Sequence, residues 1–196
     1  CAADAQAFYA VYADEKSNYK MIAIDNKGKH LWTYWLGDVL SAHILAPDND
    51  KIYITATLKP SQRQGSGKSG SSKLNRGVIY CFNVNEGKRP IWQYGVRIEG
   101  NLTAPVLAGD KVYVCGGSNF YVLDAATGSL KLENRLLNLI SPPAVDTVTG
   151  RLYAGSSKGS LYAVDLSSGR LDWARELEGA IEQAPIVSSD GFIYVC

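Results

Sequence analysis

The chain has 196 residues, 46% of them hydrophobic, with 20 basic and 19 acidic side chains. So much apolar material excludes wholesale disorder, and a net charge of +1 excludes nucleic-acid recognition driven by bulk electrostatics. No apolar run is long enough for a transmembrane helix, and four cysteines are too few for a disulfide scaffold.

In chain order, the first unit spans about residues 1–40. A short extended remnant at 1–4 precedes strands predicted at 8–11, 20–25 and 30–35. The second unit, 41–100, opens with Ser41-Ala42-His43 and turns at Asp48-Asn49-Asp50. It places Tyr53 and Tyr80 in its middle strands, and residues 60–76 read as a flexible insertion between them. The third unit, 101–138, carries Val112-Tyr113-Val114 and then Phe120-Tyr121-Val122-Leu123-Asp124. The fourth, 139–179, reads as strands at 144–146, 151–156, 160–165 and 171–174, punctuated by Thr149-Gly150 and Ser168-Gly169. A partial fifth, 180–196, holds Ala184-Pro185-Ile186-Val187 and Ile193-Tyr194-Val195-Cys196. Short β-branched and aromatic runs separated by Gly, Asp and Ser are strand and hairpin signals. No window sustains a helical period.

The units are copies of one another. Asn83 to Asp124 and Asp124 to Asp165 are both 41 positions, and the longer step from Asp25 to Asn83 is accounted for by the insertion. Four antiparallel strands in such a period match a β-propeller blade of roughly 40–45 residues. Radial stacking then buries faces that a lone four-stranded sheet leaves open. The expected fold is all-β: a propeller of four-stranded antiparallel blades, with about four and a half blades present. The terminal units are not complementary halves of one blade. The chain is therefore expected to be part of a seven- or eight-bladed ring, whose remaining blades belong to the same or a longer chain.

Residues 163–173, Ala-Val-Asp-Leu-Ser-Ser-Gly-Arg-Leu-Asp-Trp, resemble the tryptophan-docking repeat of the pyrroloquinoline quinone (PQQ)-type propellers. Asp25, Gly28 and Trp32 fit with one residue missing, and Asn83, Gly87 and Trp92 with one added. Asp124, Thr127 and Gly128 fit as well, but Leu132 stands where tryptophan is expected. The resemblance implies that Trp32, Trp92 and Trp173 pack against the neighbouring blade. Truncating Trp173 should then cost roughly 3–5 kcal/mol, and truncating Trp35, on the other face of its strand, less. The family divides into quinone-dependent dehydrogenases, which hold PQQ and calcium on the propeller axis, and non-catalytic members that bind protein partners. The repeat does not discriminate between them.

Chemical motifs are sparse. No adjacent cysteine pair suits a quinone site, and Cys1, Cys81, Cys115 and Cys196 read as free thiols acting as small hydrophobes. His30 and His43 lack a second ligand at metal-binding spacing. Gly65-Ser66-Gly67-Lys68-Ser69 falls short of a phosphate-binding loop because Gln62 replaces its first glycine. Two features stand out. A basic contact loop of Lys59, Arg63, Lys68, Lys73 and Arg76 could face an acidic partner or lipid headgroup. A polar column of Ser41, Thr103, Ser141 and Gln183, with His43 beside it where the other units have proline, should ring one mouth of the central channel. The resulting expectation is a non-catalytic, extracytoplasmic scaffold for protein contacts, with no cofactor. The alternatives are a fragment of a quinoprotein dehydrogenase with PQQ and calcium, or a small-molecule sensor.

Overall fold

The computed structural model describes residues 1–4, 7–15, 18–60 and 74–196, and every regular element among them is a β-strand. The first sheet orders β1 (Ala2–Ala3), β2 (Ala7–Ala13), β3 (Tyr19–Asp25) and β4 (His30–Gly37) antiparallel, in sequence. The second orders β5 (Val39–Ile44), β6 (Lys51–Leu58), β7 (Asn75–Asn83) and β8 (Trp92–Ile98) in the same way. The third contains β9 (Val106–Ala108), β10 (Lys111–Asp124) and β11 (Leu130–Leu139). The fourth contains β12 (Ala144–Asp146), β13 (Arg151–Gly155), β14 (Ser160–Asp165) and β15 (Leu171–Glu176). The last two strands, β16 (Ile186–Val187) and β17 (Ile193–Tyr194), begin a fifth sheet.

The third sheet is a four-stranded blade in disguise. Ala125 donates its N–H to the carbonyl of Asp110 at 2.9 Å, so the two ends of β10 meet. The element is a hairpin, doubling back near Gly117, whose φ of 61° falls where glycine is favoured. Val84 to Asp50 and Leu166 to Gly150 close the corresponding hairpins of blades two and four at 2.9 Å.

Each core lies between consecutive blades. Tyr9, Met21 and Trp32 of blade one pack with Ile52, Ile54 and Phe82 of blade two. Tyr53, Ile79 and Trp92 pack with Val112, Tyr121 and Leu123 of blade three, and the pattern continues into blade four and the fifth sheet. This is a partial β-propeller. Its repeated motif supplies the joints. The Trp32 indole N–H donates to the carbonyl of Val84 at 2.7 Å, and Trp92 to that of Ala125 at 3.1 Å. Each ring lies on the turn glycine of the next blade, Gly87 or Gly128, where a Cβ would collide with it. At the third joint Leu132 covers Gly169, and Asn134 makes a different cross-joint bond, donating to the Gly169 carbonyl at 2.5 Å. Tyrosines of β2, β6 and β13 pack beside the motif tryptophans, with Tyr9–Trp32, Tyr53–Trp92 and Tyr153–Trp173 centroids 6.0–6.1 Å apart. Trp173 itself is only half-buried, so the full core-truncation penalty expected for it belongs to Trp32 and Trp92 instead.

The aspartates of the motif act within the turns. Asp124 Oδ1 accepts the N–H groups of Ala126 and Thr127 and the Thr127 hydroxyl. Asp165 Oδ1 accepts the N–H groups and hydroxyls of Ser167 and Ser168. These bonds hold both carboxyls near a pKa of about 2. For Asp124 the Thr127 backbone bond contributes most; for Asp165 the Ser167 hydroxyl does. A carboxyl depressed in the folded state stabilises fully above its unfolded pKa of about 4, and that contribution is lost as pH falls through about 2. The Asp124→Asn/Asp165→Asn variant should therefore lose less melting temperature between about pH 5 and pH 2 than the parent chain. Parallel melting curves in circular dichroism would show it; equal losses would detach these turns from the acid sensitivity.

Asn75 and Arg76 belong to β7, where Arg76 faces Leu58 on one side and Arg97 on the other. Residues 61–73, including Arg63, Lys68 and Lys73 and the glycine-rich stretch 65–69, lie outside the described residues.

Candidate functional site

The connection from each blade to the next and the hairpin between its two middle strands lie on one face of the propeller, because both sit at the same ends of their strands. β6 ends and β7 begins on this face, so Lys59 and Arg76 belong to it; both are exposed. A groove of about 690 Å³ opens there, lined by His43, Glu99, Thr103, Ser118, Glu182 and Gln183 among others. A second groove of about 550 Å³ shares Glu99 and Ser118 with it. It runs outward past Asn119, Glu133 and Arg135 to Leu74, just before β7. Asn119 bridges this rim, donating to Glu133 Oε1 at 2.7 Å.

The polar column divides under inspection. His43, Thr103 and Gln183 meet at the large groove; Ser41 and Ser141 do not line it. The hydroxyls of Thr103 and Ser141 extend their own sheets rather than facing a ligand. Thr103 Oγ1 accepts the Cys115 N–H at 3.1 Å, and Ser141 Oγ accepts the Gly155 N–H at 2.7 Å. Gln183 is exposed. His43 is half-buried, and desolvation pushes its pKa below the usual imidazole value, so the ring is neutral at pH 7 and can both donate and accept. Ser41 Oγ is buried without a hydrogen-bond partner. An unsatisfied buried hydroxyl carries a desolvation penalty, whereas removing a used acceptor strands its donor. Ser41→Ala should accordingly be neutral or stabilising by up to about 1 kcal/mol, and Thr103→Val should cost about 1–3 kcal/mol. Urea unfolding distinguishes them; equal losses would show that Ser41 is satisfied in solution.

Sequence reasoning missed two buried threonines. Thr55 Oγ1 donates to the Thr103 carbonyl at 2.7 Å, and Thr57 Oγ1 accepts the Leu102 N–H at 2.9 Å. They stitch blade two to the connection that forms the groove wall, and so hold Thr103 in place. Within a strand, threonine looks like any other β-branched residue, so only the register reveals this role.

The cysteines also divide. Cys81 and Cys115 are buried, whereas Cys1 and Cys196 are exposed, which corrects the view of all four as small core hydrophobes. Burial pushes the Cys81 thiol up to about 11 and raises Cys115 as well, so neither is a nucleophile at neutral pH. No three His, Cys, Asp or Glu side chains converge in metal-binding geometry among the described residues.

A family model described as outer membrane protein assembly factor BamB matches residues 75–196. Among solved structures, the chain is similar to BamB from Moraxella catarrhalis, with 21% identity and a TM-score of 0.60 over 95% of this chain and 60% of that one. It is also similar to a europium-containing methanol dehydrogenase, with 14% identity and a TM-score of 0.57 over 90% of this chain and 41% of that one. No curated protein matches the sequence. The chain thus spans less than two thirds of the length of either structure, and at these identities the likeness is one of fold.

Proposed function

The chain belongs to the PQQ-like propeller family described as outer membrane protein assembly factor BamB, and from that premise we propose that it is an extracytoplasmic, non-catalytic scaffold for protein contacts in outer-membrane protein assembly. The observation that carries this reading is how the residues are used. The repeated tryptophans, glycines and aspartates are engaged in joints and turns, and the column hydroxyls of Thr103 and Ser141 in the sheets. The two adjoining grooves bring outward-facing polar groups together on one face. Mixed charges from Glu99, Glu133 and Arg135 beside Asn119 and Ser118 suit a polar protein surface, whose charge pattern they would select. Lys59 and Arg76 extend the same face toward an acidic partner.

The test is site-specific photocrosslinking of the full chain in its cell envelope. A photoreactive side chain at Ser118 or at Gln183 should give protein adducts. One at Val148, which is 94% exposed in the turn between β12 and β13 on the opposite face, should not. Adducts at Val148 alone would move the contact surface. Stoichiometric quinone binding with dye reduction, on adding PQQ and Ca²⁺, would replace the scaffold by an enzyme.

A further inference from the structure

Every blade of a propeller ends in an outer strand with one unpaired edge, and here those edges are β4, β8, β11 and β15. Such edges invite pairing with any extended chain, and charged side chains are the usual guard against it. Three of the four carry that guard. β8 has Arg97; β11 has Lys131, Glu133 and Arg135; β15 has Asp172, Arg175 and Glu176. β4 is different. His30-Leu31-Trp32-Thr33-Tyr34-Trp35-Leu36-Gly37 contains no Asp, Glu, Lys, Arg or Pro over eight residues.

The side chains of β4 fit a docking edge. Trp32 and Leu36 are buried toward blade two and anchor the strand. Leu31 and Trp35 remain 43% and 59% exposed. Trp35 is braced by Lys20, whose Nζ lies 4.1 Å from its ring centroid and 3.0 Å from Asp14. The flanks are polarised. Exposed Lys27 and Lys29 precede the strand, and Asp38 follows it. An antiparallel strand laid along β4 would bring its carboxyl end to the two lysines.

We propose that the β4 edge takes up an extended strand of a partner protein, uncharged and alternately apolar in its centre and acidic at its carboxyl end. The inference rests on the scaffold reading and names the partner's chemistry. Backbone bonds to the open edge would provide affinity, Leu31 and Trp35 would contact alternate apolar side chains, and the lysines would set direction.

The probe is a fluorescent peptide of seven alternating Val and Thr residues ending in two Glu, titrated into the full chain. Binding should weaken at least about tenfold with Leu31→Lys or with Trp35→Lys, which restore the missing guard, and stay unchanged with Leu171→Lys on β15. Replacing the two Glu of the peptide by Lys should weaken it several-fold. Amide exchange of the unaltered chain gives a readout independent of any variant's folding: the peptide should protect amides within His30–Gly37. Protection spread equally over β8, β11 and β15, or none, overturns the proposal. Protection of β4 that rises with protein concentration without peptide makes a second copy the occupant and also overturns it. Adducts at Ser118 and Gln183 that persist when the β4 test fails would leave the scaffold reading standing.

Discussion

Trp32→Ala should lower the free energy of unfolding by about 3–5 kcal/mol, the range for truncating a large buried aromatic. The ring is 3% exposed. It stacks on Phe82 with centroids 6.2 Å apart, lies 6.1 Å from Tyr9, and donates its N–H across the joint to Val84. Truncation therefore opens a cavity between two blades and strands one carbonyl acceptor at the same time. Trp35→Ala should cost no more than about 1 kcal/mol, because its ring is mostly in water and its principal contact is Lys20. Urea unfolding followed by circular dichroism measures both. The contrast matters more than either value, since the two residues lie on one strand and differ only in the face they occupy. Equal losses would mean that blade one does not pack on blade two as described.

The same contrast shows what could be read without coordinates. Trp32, Gly87 and the turn aspartates were legible because the motif recurs in register, and repetition separates joint residues from incidental ones. Leu132 was legible as an exception, but the Asn134 bond to the Gly169 carbonyl at the same joint was not, because it depends on which side chain of one blade reaches the next. The channel-mouth column was legible as a position in each repeat, yet its members have different fates. Thr103 and Ser141 bond their own sheets, Ser41 is left unpaired, and His43 and Gln183 face the groove. Spacing places a residue on a strand; it does not say which neighbour has already claimed its hydroxyl. β10 illustrates the reverse. The sequence placed two strands there and the sheet shows one continuous element, but the Ala125–Asp110 bond restores the hairpin. The open edge of β4 was equally hidden, because the absence of charge over eight residues acquires meaning only once the outer strand of every blade is known.

Gly87→Ala should be the second most damaging of these changes, and its cost should depend on Trp32. A Cβ at Gly87 would lie inside the Trp32 ring, against its Cε2 and Cδ2 atoms. The indole is held on one side by Phe82 and at its N–H by Val84, so it cannot move aside without losing both. Overpacking of this kind costs about 1–3 kcal/mol when a core can adjust, and the upper part of that range is expected at a joint whose ring is fixed from two sides. In the Trp32→Ala background the obstacle is gone. There Gly87→Ala should cost less than about 0.5 kcal/mol, so the double variant should fall short of the sum of the single losses by about 1–3 kcal/mol. A full double-mutant cycle by urea unfolding measures that coupling. Strict additivity would show that the glycine serves its own turn and not the ring above it. The two residues are 55 positions apart in sequence and belong to different blades, so a coupling of this size would tie the Trp of one repeat to the Gly of the next through direct contact.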